Sequence, residues 1–243
     1  MKKPLIYFIS RNTIIIFLVS IVIFSFSINL VISWKNKATP TNSELNKKVI
    51  IDPGHGGIDS GADYNGIYEK DINLKISKKL AKSLEKDNIL TQLTRNQDKL
   101  YNDDRNDDIK HRIELTNNSN ADLLISIHVN SFPSSQSFGG ETYYSKGSKE
   151  GKKLASAIQE QLLKIQPKNY RTIKTAPYYV LQKSNITAVL IEVGFISNPA
   201  DRKRITDPQE QDKIAEAIKK GIINYFNEQL KLLPSETTTL AEL

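Results

Sequence analysis

Four ionisable residues of the 243-residue chain have types and positions suited to hydrolytic chemistry: His55, Glu69, His128 and Glu192. His55 directly follows the apolar run 48–52, His128 closes the run 123–129, and Glu192 closes the run 188–193, three segments that read as buried strands. Glu69 stands just before the first amphipathic helix. Ligands of open α/β sheets gather at the carboxyl ends of strands, so His55, His128 and Glu192 are expected to converge. Two imidazoles and one carboxylate form a zinc site of the catalytic kind, three protein ligands with the fourth position left to water. The second carboxylate is then free to act on that water. There is no cysteine, which excludes thiolate metal sites and disulfides, and only three histidines exist, His55, His111 and His128.

Each residue also has a plainer reading. A histidine at a strand end is commonly a hydrogen-bonded structural residue. Glu69 taken alone is an exposed helix-start acid of the sort the helix dipole favours. Glu192 is harder to dismiss. It lies within Val-Leu-Ile-Glu-Val-Gly-Phe, where an unpaired buried carboxylate is costly without a metal, a cation or a catalytic task. The turn Pro53-Gly54-His55-Gly56-Gly57 suggests a phosphate cradle, but it has neither the Lys-Ser of a P-loop nor the spacing of a dinucleotide fingerprint.

The elements that must position these residues alternate between short apolar runs and amphipathic stretches, the pattern of an α/β domain with a mixed, mostly parallel sheet flanked by helices. After the first strand, Ile72, Ile76, Leu80 and Leu84 recur every four residues and predict a helix over 71–85. Strands are expected at 88–94, 123–129, 141–144, 178–181 and 188–193, and helices at 104–117 and 149–165. The last helix starts at Asp207-Pro208-Gln209-Glu210, with Asp207 as cap, Pro208 in the first turn and Glu210 completing a capping box, and it runs to about Leu230. No internal repeat and no appended binding module is apparent.

Ahead of this domain, the run from Thr13 to Ser33 has no charged residue and is long enough to span a bilayer. It exceeds the usual apolar stretch of a cleaved signal and no Ala-x-Ala-like site follows, which favours a transmembrane or signal-anchor helix over a removed leader. The expected organisation is therefore an anchor segment over 1–34, a polar linker over 35–47, the catalytic domain over 48–230 and a flexible tail over 231–243. The first 48 residues hold seven Lys or Arg against one acid, so nearly all of the +7 net charge sits beside the anchor. The nearly neutral remainder lacks the electrostatic footprint of a nucleic-acid binder.

Taken in order, Val-Ile-Ile-Asp-Pro-Gly-His-Gly-Gly, Tyr-Glu-Lys-Asp-Ile-Asn-Leu, Ile-Ser-Ile-His-Val-Asn-Ser and Leu-Ile-Glu-Val-Gly-Phe-Ile-Ser-Asn-Pro resemble the motifs of the zinc N-acetylmuramoyl-L-alanine amidases of the amidase-3 type. The resemblance covers residues 48 to about 228. It implies one Zn²⁺ held by His55, Glu69 and His128, with Glu192 as the catalytic carboxylate and the sugar–peptide amide of peptidoglycan as substrate. Thr94-Arg95 and Arg112 also match, and a scaffolding role for them is preferred, since Arg commonly pairs with structural carboxylates. His111 matches no motif position and is expected on an exposed helix face.

Within the family the layout resembles that of the germination-specific spore-cortex amidases, which strip stem peptides from muramic acid on the way to muramic-δ-lactam. That implies a catalytic domain outside the cytoplasm, in the cell envelope or forespore intermembrane space. The 63 residues between His128 and Glu192 leave little room for an inhibitory helix, so control falls to an activating or stabilising protein partner. Two other readings compete: a wall-binding module that has lost turnover, against which the intact set of His55, Glu69, His128 and Glu192 argues, and a zinc peptidase acting within the stem peptide, which the motifs disfavour but spacing and charge alone do not separate.

Overall fold

The computed structural model of the chain describes residues 47–232 and the isolated positions 12, 20, 21, 24 and 27. The expected anchor over 1–34 lies outside the described residues apart from those five positions. The linker over 35–46 and the tail beyond 232 lie outside them altogether. Among the described residues no helix is long and apolar enough to cross a membrane.

The element order is β1 (Lys48–Pro53), β2 (Asp63–Tyr64), β3 (Ile67–Tyr68), α1 (Glu69–Glu85), β4 (Leu90–Leu93), α2 (Arg105–Asn117), β5 (Leu123–Asn130), β6 (Glu141–Tyr144), α3 (Lys149–Ile165), β7 (Lys174–Thr175), α4 (Tyr179–Lys183), β8 (Thr187–Phe195), α5 (Pro199–Thr206) and α6 (Pro208–Lys231). One six-stranded sheet runs β4-β1-β5-β8-β6-β7. The first four strands in that order are parallel, while β6 is antiparallel to β8 and parallel to β7. The domain is thus α/β with a mixed, mostly parallel sheet.

Alternation along each strand divides the side chains between two layers. Val49, Ile51, Ile125, Ile127, Val189 and Ile191 face a large core with Ile76 and Leu80 of α1, Leu154 and Ile158 of α3, and Ile214 and Ile218 of α6. Ile50, Leu124 and Leu190 face a smaller core with Ile113 of α2 and Val180 and Leu181 of α4. Burying each such aliphatic side chain stabilises the fold by about 1.5–3 kcal/mol before entropy is counted. The same alternation sends Asp52, Ser126, His128 and Glu192 to the second face.

Three expectations are corrected. Residues 178–181 are not a strand: Leu181 and Gln182 donate backbone N–H bonds to Tyr178 O and begin the short helix α4. Val180 and Leu181 are consecutive and both buried, which a helical turn permits and a half-buried strand does not. Glu192 does not close its strand, since β8 continues to Phe195. At the start of α6, Asp207 does cap by accepting from the N–H groups of Gln209 and Glu210, but Glu210 pairs with Lys213 at 2.6 Å and Asp207 N donates to Lys203 O, so no reciprocal capping box forms. Strands β2, β3 and β7 and helix α5 were not expected. The hairpin β2–β3 turns through Asn65 and Gly66, both at positive φ, and α5 starts at Pro199 with Asn198 accepting from Ala200 N and Asp201 N.

Candidate metal centre and active site

At the carboxyl end of β1, Asp52 is 2% exposed and fully engaged. Its Oδ1 accepts from Thr94 Oγ1 at 2.6 Å and Arg112 Nη1 at 2.9 Å, and its Oδ2 accepts from Ser126 Oγ at 2.7 Å. Burial alone would raise its pKa, but the Arg112 guanidinium and the three hydrogen bonds hold it down at about 2. Arg112 also donates to Asp108 Oδ2, to Pro53 O at 2.6 Å and to His55 O at 2.8 Å. Arg95 grips the neighbouring carbonyls, donating to Pro53 O and Gly54 O at 2.9 Å and to Lys70 O at 2.8 Å. The two buried arginines therefore hold the turn that carries His55, in keeping with the scaffolding role expected of them. His55 needs that support: its φ of +61° is left-handed and strained for a side-chain-bearing residue.

Glu69 is the first residue of α1 and only 4% exposed, so the picture of an exposed helix-start acid does not hold. Its Oε2 accepts from Ala62 N at 2.8 Å, and its Oε1 accepts from Val129 N at 3.0 Å and Asn73 Nδ2 at 3.2 Å. Oε1 also lies 3.3 Å from His55 Nε2 and 3.0 Å from His128 Nδ1. One ligand atom from each of His55, Glu69 and His128 falls within 4.8 Å of the others, a group that could hold a metal ion. Burial works against charge at both Glu69 and His55. Hydrogen bonds with His128 and His55 nevertheless keep the Glu69 carboxyl well below the usual range, and Glu69, helped by Asp59, raises His55 to about 9. A carboxylate pressed between two imidazoles is an arrangement that could hold a cation. Two imidazole nitrogens and one carboxylate oxygen match the donor set of a three-ligand zinc site.

The approach is close enough that glycine is required beside it. A Cβ at Gly54 would come within 2.2 Å of the His128 ring, and one at Gly61 within 2.6 Å of Glu69 Oε2.

Glu192 is 8% exposed, it pairs in register with His128 across β5 and β8, and its Oε2 is buried with no hydrogen-bond partner. Burial pushes its pKa up to about 7, with Glu69 and Glu141 adding to the rise and the two imidazoles opposing it. His55, Glu69 and His128 are thus brought together, and Glu192 stands in register with His128. His111 lies apart, on α2, and is half-buried with its ring stacked on Tyr101 at 3.9 Å, which corrects the expectation of an exposed residue.

Two charged neighbours of the site were missed from sequence. Asp59 Oδ2 lies 2.8 Å from His55 Nδ1. Glu141, 1% exposed on β6, stands opposite Glu192. Glu141 follows Gly-Gly at the start of a short strand, and nothing in its local pattern reveals that a cross-strand partner is a second acid.

Residues 49–224 match the sequence profile of Amidase_3, the N-acetylmuramoyl-L-alanine amidases. The chain belongs to this family. It is 33% identical over 222 residues to the germination-specific N-acetylmuramoyl-L-alanine amidase of Bacillus subtilis, an alignment covering 88% of this chain and 92% of that one. Among solved structures, it is similar to the CwlD amidase of Clostridioides difficile, determined in complex with the GerS lipoprotein, with 41% identity, a TM-score of 0.73, and coverage of 75% of this chain and 100% of that one. It is also similar to an N-acetylmuramoyl-L-alanine amidase from Clostridium difficile 630, with 36% identity, a TM-score of 0.70, and coverage of 75% and 98%. As an N-acetylmuramoyl-L-alanine amidase, the chain acts on peptidoglycan, at the amide that joins muramic acid to the stem peptide.

Proposed function

We propose that the chain is a zinc-dependent amidase in which His55, Glu69 and His128 hold the metal and Glu192 is the general base and acid. The observation that carries this reading is the meeting of three N/O donors within 4.8 Å, with the unpartnered carboxylate of Glu192 on the strand beside His128. A zinc ion held there supplies Lewis-acid polarisation of water and of the scissile carbonyl. Glu192 accepts the proton of the attacking water as its oxygen bonds to the lactyl carbonyl carbon of N-acetylmuramic acid. The carbon–nitrogen bond then breaks, and Glu192 returns the proton to the departing amine of L-alanine. A carboxylate held near pH 7 by its burial suits both halves of that exchange. Asp52, Arg95 and Arg112 take no part in proton transfer and hold the His55 turn in place.

The full chain in detergent, incubated with muropeptides and read by mass spectrometry, should release stem peptides beginning at L-alanine. A chelator should stop the release and zinc should restore it. Cleavage inside the stem, with the muramyl amide intact, would replace this reading with that of a peptidase.

The likeness to the germination-specific enzyme supports a task in spore cortex, removal of stem peptides ahead of muramic-δ-lactam formation. The charge-free run from Thr13 to Ser33 supports anchoring in a membrane, with the domain from Lys48 onward outside the cytoplasm. The CwlD–GerS complex supports a protein partner for this chain as well. Cortex from spores lacking the chain should contain muramic acid with its peptides attached and no lactam. Normal lactam content would rule out the cortex assignment.

A further inference from the structure

The two histidines of the cluster are held in different ways. His128 turns Nδ1 toward Glu69, and its ring lies close against Gly54, where an added Cβ would stand 2.2 Å from Cε1. His55 turns Nε2 toward Glu69, and its Nδ1 points away to Asp59 Oδ2 at 2.8 Å. Both side chains are partly exposed, 25% for His55 and 19% for His128, and among the described residues only His55 of the two has a carboxylate on its outward nitrogen.

We infer that Asp59 is a positioning residue that sets the ring orientation and tautomer of His55 for the metal, and that Arg105 steadies Asp59. This rests on the metal-site reading given above. Both ring nitrogens of His55 face carboxylates, but a cation held by Nε2 together with Glu69 would require the lone pair there, and the proton of the neutral ring would then sit on Nδ1, donated to Asp59. Ligating histidines commonly have such an outer partner, and its loss weakens metal binding.

Asp59 is itself held in place. Its Oδ1 lies 3.1 Å from Arg105 Nη2 and accepts from Gly61 N at 3.3 Å. The turn around it is closed by backbone bonds in both directions between Gly56 and Asp59, each 2.9 Å. Those bonds do not depend on the Asp59 side-chain charge, so the turn does not need the carboxylate for its own closure. The carboxylate is left free to serve His55.

The test compares zinc affinity of the full chain, measured by competition with a fluorescent chelator, for wild type, D59N, R105Q and D98N. Asp98 is the control because it also ties this loop, accepting from Gly57 N at 2.7 Å and Lys70 Nζ at 2.8 Å, yet touches no histidine. D59N should bind zinc about ten- to a hundredfold more weakly. R105Q should lose less and D98N nothing, and metal-free D59N should melt together with D98N. In zinc-loaded wild type, ¹⁵N spectra should show His55 protonated at Nδ1. Wild-type affinity in D59N overturns the inference, and so does an equal loss in D98N, which would assign the effect to the loop. If wild type binds no zinc, or His55→Ala binds it as wild type does, the metal-site reading falls and takes this inference with it.

Discussion

Glu141 and Glu192 face each other as register partners on antiparallel β6 and β8, and the nearby Lys174 and Arg171 both pair with Glu141. Lys174 Nζ lies 2.8 Å from Glu141 Oε1, Arg171 Nη1 lies 3.3 Å from Oε2, and the Tyr143 hydroxyl donates to Oε2 at 2.6 Å. Like charges placed directly opposite on a sheet are destabilising, and the two cations at Glu141 offset that cost. Glu192 Oε2 has no hydrogen-bond partner among the described residues, which supports the proton exchange proposed for this residue. Glu192→Gln keeps size and polarity but cannot carry the proton. It should keep fold and zinc while losing roughly 10²- to 10⁴-fold in turnover. Muropeptide cleavage near the wild-type rate would remove Glu192 from the mechanism, and loss of zinc would make it a ligand.

Metal content should answer to three residues and not to a fourth. His55→Ala, Glu69→Ala and His128→Ala should each strip zinc from the purified protein, whereas His111→Ala, whose ring stacks on Tyr101 away from the cluster, should leave it bound. Elemental analysis decides this, and zinc loss in the His111 variant would mean the wrong pair of histidines.

Zinc affinity should depend on pH in a defined direction. Without metal His55 is raised to about 9, so below that pH the cation must displace a proton from its ring. Apparent affinity should climb by about tenfold per pH unit between pH 6 and 8. An affinity flat over that range would show that His55 is already neutral when the metal arrives.

Gly54→Ala tests the space beside His128. The added Cβ would stand 2.2 Å from the ring, so the ring must move. We expect a folded domain with zinc affinity at least tenfold lower, read by circular dichroism and chelator competition. Unchanged affinity would mean that the ring tolerates displacement.

The Asp52–Arg112 pair should appear in acid stability. The Asp52 pKa is depressed from 3.8 to about 2 by folding, so its contribution is complete above pH 4 and fades as pH falls through 2. That difference is worth about 2 kcal/mol. The gap in unfolding free energy between wild type and Asp52→Asn should therefore narrow by about that amount between pH 6 and pH 2, measured by urea titration. A gap that stays constant would place the stabilisation elsewhere.

How far the sequence revealed this arrangement depended on the range of the signal. Helices α1, α3 and α6 were legible because Ile72, Ile76, Leu80 and Leu84, and their counterparts in the other two, follow the helical repeat. The central strands were legible as short apolar runs. Tyr178 to Leu181 misled because aromatic and β-branched residues favour strands, and only the burial of two adjacent side chains reveals the helical turn. The Asn65-Gly66 hairpin and the Asn198-Pro199 helix start carried local signals that were readable and went unread. His55, Glu69, His128 and Glu192 could be singled out by type and position. Asp59 and Glu141 could not, because their importance arises from partners that the fold alone supplies.

The strained turn at His55 has a consequence for how the protein matures. Its carbonyl is gripped by Arg112, 57 residues further along the chain, and its neighbours by Arg95, 41 and 42 residues along. Neither arginine can reach it until β4 and α2 have docked on the sheet, and bringing such distant segments together is the slow, entropically expensive part of folding. The left-handed backbone at His55 is not sustained before then. A chain whose β4 and α2 have not yet docked therefore lacks the bonds that hold the His55 turn in its strained form.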